Sequence, residues 1–285
     1  MPTVVTVPVA DLYCDASFES EVTTQALYGQ NVKAVTTTGS WTHVQTADTY
    51  HGWLPTASLV KNPTRPSHVH GIAEVDTLWT HLFSAPDTTP HRPLMTLSYE
   101  TQLPIATNST NWTERWIEVF LLDSTRAWIQ SGDLRLNPSP RTLSQTIDLA
   151  YKFLGLPYRW GGCSGFGYDC SGFIQMLYRQ MGYLLPRDAS QQATVADAEE
   201  VTAYEPGNLI FFANRDGPIS HVGMIIDSTR FIHAVTTGHQ GPRTIQITNL
   251  DAPEWKPRIA SVRRYSLLND LLCASASTLE KHSGH

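Results

Sequence analysis

The chain of 285 residues is short of several things that would announce a function at once. No apolar run approaches the roughly 20 residues needed to cross a bilayer as a helix. The opening stretch "MPTVVTVPVADLYCD" has neither a basic cluster nor a long apolar core, so it does not read as a secretory leader. Charged residues are only 16% of the chain, the formal net charge is −6, and no run of like charge suggests an interaction tail. Nucleic-acid surfaces need clustered Lys and Arg against phosphate, and a sequence pI near 6.0 argues against one. Together these absences point to a cytoplasmic protein without a membrane or nucleic-acid partner. Cysteine is scarce too: Cys14, Cys163, Cys170 and Cys273 are too few for a disulfide scaffold. None forms a Cys-x-x-Cys pair, and zinc sites favour short-spaced ligand pairs. The alternating histidines of "HVH" (68–70) are only a weak metal pattern, and no metal is expected.

Repetition is what the sequence does have. "WTHVQTADTYHGWLPTASL" (41–59) and "WIEVFLLDSTRAWIQSGDL" (116–134) both fit W-x2-V-x8-W-[LI]-x4-L, with every matching position offset by 75. This reads as an internal duplication. Short β-rich runs separated by turn residues surround each copy, which predicts small antiparallel barrels with the tryptophans in their cores. A strand ending in Trp-x-x-Val, a turn, then a Gly-Trp-Leu or Ala-Trp-Ile strand resembles the bacterial SH3 (SH3b) domain. The likeness is good over residues 15–62 and looser over 70–137. Pro-rich linkers, "KNPTRPSH" (61–68) and "LNPSPRT" (136–142), follow the two copies. The expected organisation is 1–64 and 65–140 as two SH3b domains and 141–285 as a third. The polar stretch after Leu271 is expected to be poorly ordered.

In the third domain "LSQTIDLAYKFLG" carries a helical apolar stripe closing at Gly155. "DCSGFIQMLYRQMG" carries another at Phe173, Ile174, Leu177 and Met181, closing at Gly182. Asp169 is a good N-cap, which puts Cys170 in the first helical turn. Exposed N–H groups and the positive end of the helix dipole favour a thiolate there, and the residue's own N–H is placed to hold an oxyanion. A thiolate nucleophile also needs a base. Of eleven histidines, only His221, His233 and His239 lie in this domain before the tail. "HVGMII" and "RFIHAV" read as strands joined by "DSTR" as a turn, a hairpin that sets His221 and His233 on neighbouring strands. That is a nucleophile, base and orienter arrangement; a satisfied core histidine is the competing reading of His233.

"PYRWGGCSGFGYDCSGF", "PGNLIFF", "SHVGMII" and "FIHA", in that order, resemble the NlpC/P60 family of papain-like cysteine peptidases. The resemblance covers roughly residues 142–265 and implies an α+β class, a papain-like domain preceded by two SH3-like β-barrels. It implies Cys170 as nucleophile, His221 as base, His233 as the residue orienting it, and Tyr158 as a hydroxyl near the oxyanion, with no cofactor needed. Two departures stand out: Gly207-Asn208 where the family has Gly-Asp, and Cys163 where its loop carries a polar or basic residue. Two SH3b domains joined to one such domain resemble the cytoplasmic γ-D-glutamyl-L-diamino acid endopeptidases, which recycle cell-wall peptides. Those enzymes take murein peptides with a free N-terminal L-Ala and release L-Ala-γ-D-Glu. Asp169 and Ser171 flank the nucleophile as candidate acceptors from the substrate amine. The resemblance offers Asp188 as an amine partner with Ser190 close by, Arg187 for the γ-D-Glu carboxylate, and Glu21 and Tyr50 for the amine. A wall-cutting endopeptidase or amidase, and a non-catalytic module that binds wall peptides, are the rival readings.

Overall fold

A computed structural model describes residues 2–64, 66–107, 114–213, 217–236 and 243–266. The expected C-terminal tail, Cys273 and His239 lie outside the described residues. The chain divides into two compact units: Met1–Ser139 with Trp160–Gly167, and Pro140–Arg159 with Tyr168–His285.

The first unit carries the duplication. Its N-terminal half is a seven-stranded antiparallel sheet in the order Val22–Leu27, Val9–Tyr13, His51–Pro55, Trp41–Gln45, Asn31–Thr38, Thr3–Val5 and Leu59–Lys61. In the second half Trp116–Phe120 pairs with Arg126–Gln130, and Ile72–Val75 lies between Gln102–Pro104 and Leu134–Leu136. The two copies share one register. His43 faces Trp53 and, 75 residues on, Glu118 faces Trp128. The repeated aliphatic positions, Val44 and Leu54 in one copy and Val119 and Ile129 in the other, are fully buried. The tryptophans are not: Trp41, Trp53, Trp116 and Trp128 are only half-buried. The expectation that they fill the barrel cores is therefore corrected. Strand alternation puts the Trp and the residue after it on opposite faces, so burying Leu54 and Ile129 turns each Trp outward. Trp41 instead joins Tyr13 and Phe18 in an aromatic surface cluster, with ring centroids 5.5 and 4.7 Å away.

The second unit sets a six-stranded antiparallel sheet against helices. The strand order is Ala198–Val201, Ile259–Tyr265, Leu209–Ala213, Ile219–Asp227, Arg230–Ala234 and Ile245–Asn249. Helix α1 (Leu143–Lys152) starts at Thr142, whose side chain accepts from Gln145 N–H while Gln145 reaches back, a capping box. Helix α2 (Cys170–Gln180) packs on the Ile219–Asp227 and Arg230–Ala234 strands, and α3 (Ala189–Gln192) is one short turn. The apolar stripe of α2 predicts one buried face, yet ten of its eleven residues are buried. Polar members tolerate this because they are bonded: Gln175 to the Leu185 carbonyl at 2.9 Å, Tyr178 to the Gly207 carbonyl at 2.7 Å, and Gln180 from Arg141 at 3.1 Å. Asn208, the departure from Gly-Asp, is buried and donates to the Ala203 carbonyl at 3.2 Å.

Candidate active site

The N-terminus of α2 is built as its sequence suggests. Asp169 is the N-cap, its carboxylate accepting from Gly172 N–H at 2.7 Å, and Cys170 opens the helix. The thiol is only 8% exposed. Backbone N–H groups of Ser171 and of Val222, the neighbour of His221, both reach its sulfur. Its acidity is the reverse of what the helix dipole suggests. Burial, reinforced by the nearby Asp169 charge, pushes the thiol up to about 12. Loss of hydration outweighs the favourable N–H groups, so the resting sulfur carries its proton.

The hairpin forms as read from the alternation. Ile219–Asp227 and Arg230–Ala234 are antiparallel, and His221 Nε2 lies 2.7 Å from His233 Nδ1. Gly223 makes room between the strands: a Cβ there would stand 2.7 Å from the Phe231 ring and 3.3 Å from the His233 Cβ. Burial, aided by the Arg258 charge, holds His221 down to about 3, and burial beside His221 also keeps His233 well below its ordinary value. Both imidazoles therefore rest neutral. Three members of this cluster escape sequence reasoning. His233 Nε2 lies 2.9 Å from Thr248 Oγ1. Trp255 packs 4.9 Å from His221 and 4.8 Å from His233, and the Arg258 guanidinium lies over the indole ring, 4.9 Å from its centre. The stretch "DAPEWKPR" has no periodicity that could have flagged Trp255, and Thr248 reads as one more strand threonine.

The remaining candidates divide by unit. Tyr158 is half-buried, and burial, with Cys170 and the Asp169 carboxylate nearby, raises its pKa, so its hydroxyl stays a donor. Arg187, expected at a substrate carboxylate, is instead 1% exposed. One arm of its guanidinium bonds Asp169 and the Ser171 hydroxyl at 3.0 and 2.9 Å, and the other makes an ion pair with Asp169. A fork of this shape matches a carboxylate bidentately, and here that carboxylate is the N-cap of α2. Ser171 also gives its carbonyl to Gln192 at 3.1 Å. Asp188 is half-buried with its N–H on Gln191, and Ser190 is exposed. Glu21, exposed, and Tyr50, half-buried, belong to the first unit. So does Cys163, buried with its N–H on Gln25 at 2.9 Å and its sulfur 3.5 Å from Thr24 Oγ1. Among the described residues no group of three or more potential metal ligands occurs.

A thiol opening a central helix, packed on an antiparallel sheet that carries a bonded imidazole pair, is the layout of the papain-like class. The comparisons narrow it. The NlpC/P60 family model matches residues 155–264, and the bacterial dipeptidyl-peptidase SH3 domain model matches residues 12–59. A Bacillus cereus protein named gamma-D-glutamyl-L-lysine dipeptidyl-peptidase is 30% identical over 261 residues, 86% of this chain and 76% of that one. A Bacillus subtilis protein of the same name is 28% identical over 256 residues, 86% of this chain and 82% of that one. The crystal structure of an NlpC/P60 family protein from Bacillus cereus, 25% identical, aligns with a TM-score of 0.77 over 93% of this chain and 99% of that one. The chain belongs to the NlpC/P60 family and carries an SH3-like domain ahead of the peptidase fold. The family match and the two dipeptidyl-peptidase relatives support a peptidase acting on peptidoglycan peptides.

Proposed function

We propose that the protein is a cysteine peptidase that cuts between γ-D-Glu and the diamino acid of murein peptides with a free N-terminal L-Ala, releasing L-Ala-γ-D-Glu. The buried His221–His233 pair, beside the helix that Cys170 opens, is the observation that carries this reading. The bond attacked is inferred from the relatives named for γ-D-glutamyl-L-lysine. Peptides already released from the wall, rather than intact wall, are then the substrates, which fits a recycling role.

His233 occupies His221 Nε2, which leaves Nδ1 to take the Cys170 proton. Because thiol and imidazole both rest uncharged, the proton moves as the sulfur attacks rather than beforehand. The sulfur bonds to the γ-D-Glu carbonyl carbon, and the oxyanion that forms receives the Cys170 N–H and the Tyr158 hydroxyl. His221 returns its proton to the leaving amine as the C–N bond breaks. A water deprotonated by His221 then attacks the thioester and releases the dipeptide and the thiol. Arg187 takes part through Asp169, by holding the cap of α2 and balancing a carboxylate beside the sulfur.

The test is incubation with L-Ala-γ-D-Glu-L-Lys and L-Ala-γ-D-Glu-meso-diaminopimelate, free and N-acetylated, with Cys170→Ala as control and products weighed by mass spectrometry. Release of L-Ala-γ-D-Glu from free peptides alone is expected. Equal cleavage of the acetylated peptides would replace this reading with a wall endopeptidase. No cleavage by a folded protein would end it in favour of another amide substrate or a binding role.

A further inference from the structure

We propose that Thr248 is a positioning residue that sets the proton positions along the His233–His221 pair and thereby keeps His221 Nδ1 bare. The proposal rests on the reading of Cys170 and His221 as nucleophile and base. Three atoms line up: His221 Nε2 to His233 Nδ1 at 2.7 Å, then His233 Nε2 to Thr248 Oγ1 at 2.9 Å. A neutral imidazole has one N–H and one bare nitrogen, so only two proton arrangements satisfy both bonds. In one, both rings carry the proton on Nε2: His221 donates to His233, and His233 donates to Thr248. In the other, both carry it on Nδ1: Thr248 donates to His233, His233 donates to His221, and His221 Nδ1 cannot accept a proton.

The surroundings favour the first. In the proposed mechanism His221 Nδ1 faces the Cys170 sulfur, which already receives N–H groups from Ser171 and Val222, so a third donor there would crowd it, while its own S–H needs an acceptor. His233 is completely buried, and a buried N–H without a partner is the rarest of polar defects. The first arrangement therefore needs an oxygen at His233 Nε2. Thr248 supplies it from the adjacent strand, where Phe231 faces Thr248 and His233 faces Gln246. Gln246 Nε2, 3.4 Å from the same Oγ1, brings a second donor, and a hydroxyl oxygen has lone pairs for both. Replacing the hydroxyl by a methyl leaves the His233 N–H stranded and pushes both rings into the second arrangement, with the base blocked.

The experiment compares the full chain with Thr248→Val and Thr248→Ser. Imidazole 15N shifts read the proton position on each ring, and steady-state kinetics are measured on L-Ala-γ-D-Glu-L-Lys. In the unaltered protein both histidines carry the proton on Nε2. Thr248→Val moves it to Nδ1 and lowers kcat by of the order of 10²-fold with KM unchanged, and Thr248→Ser restores both. The shifts need no substrate, so they decide the proposal even if the peptide is not cleaved. An Nδ1 proton on His233 in the unaltered protein overturns it, whether or not a variant folds. So does Thr248→Val with Nε2 protons and kcat within about twofold of the parent.

Discussion

His221 and His233 are buried as neutral imidazoles, and this ties folding stability to pH. In the unfolded chain each titrates near ~6.5, while burial holds His221 down to about 3 and His233 well below its ordinary value. Between those limits the unfolded chain binds protons that the folded chain does not. Their contribution is therefore complete above about pH 6.5 and is lost as pH falls, at about 1.4 kcal/mol per pH unit for each ring. The urea midpoint should drop between pH 7 and pH 5, and drop less in His221→Asn. A midpoint that stays level would mean that the folded rings take up protons as readily as those of the unfolded chain. Cys170 shows how far a single residue is legible. Its place at a helix start follows from Asp169 before it and the apolar stripe after it. Its acidity does not, because the neighbours that remove water from the sulfur come from distant parts of the chain. Arg187 repeats the lesson, since its partner Asp169 lies 18 residues away and no local pattern joins them.

At the scale of elements, the Ile219–Asp227 and Arg230–Ala234 hairpin is the piece most readable from sequence. Apolar alternation, β-branched residues and a short polar turn specify it, and the closeness of the two histidines follows from the pairing. Gly223 is a requirement that the pattern hides. A methyl there meets the buried Phe231 ring at 2.7 Å and the Ile232 carbonyl at 3.1 Å, so the strands must part where His233 is held. Gly223→Ala is expected to cost about 1–3 kcal/mol and to lower kcat in protein that remains folded, as thermal melts and assays well below the midpoint would show. A lowered midpoint with full kcat would mean that Gly223 serves packing alone. Helix α2 was legible in position but not in environment. Its polar residues suggested an exposed face, and each instead finds a partner inside.

Across the molecule, the offset of 75 reappears in the strand register of the two tryptophan-bearing hairpins and in their half-buried tryptophans. The segment 160–167 could not be placed from sequence, because it reads as part of the peptidase motif yet packs within the first unit. There Gly165 donates its N–H to Ser98 Oγ at 2.8 Å, and a Cβ on it would stand 1.8 Å from the Leu78 carbonyl oxygen. A backbone atom has no rotamer to yield, so Gly165→Ala should lower the melting temperature and open the segment to proteolysis. An unchanged melt with an intact segment would refute that packing. The amino-acid order by itself determined the repeat, the helix starts, the hairpin and the set of chemically capable side chains, because turns, caps and periodicity act over a few residues. Only the tertiary structure decided the charge state of Cys170 and the histidines, the pairing of Arg187 with Asp169, the reach of Thr248 to His233 and the placement of residues 160–167. Each of these depends on excluded water and on contacts between residues far apart in the chain.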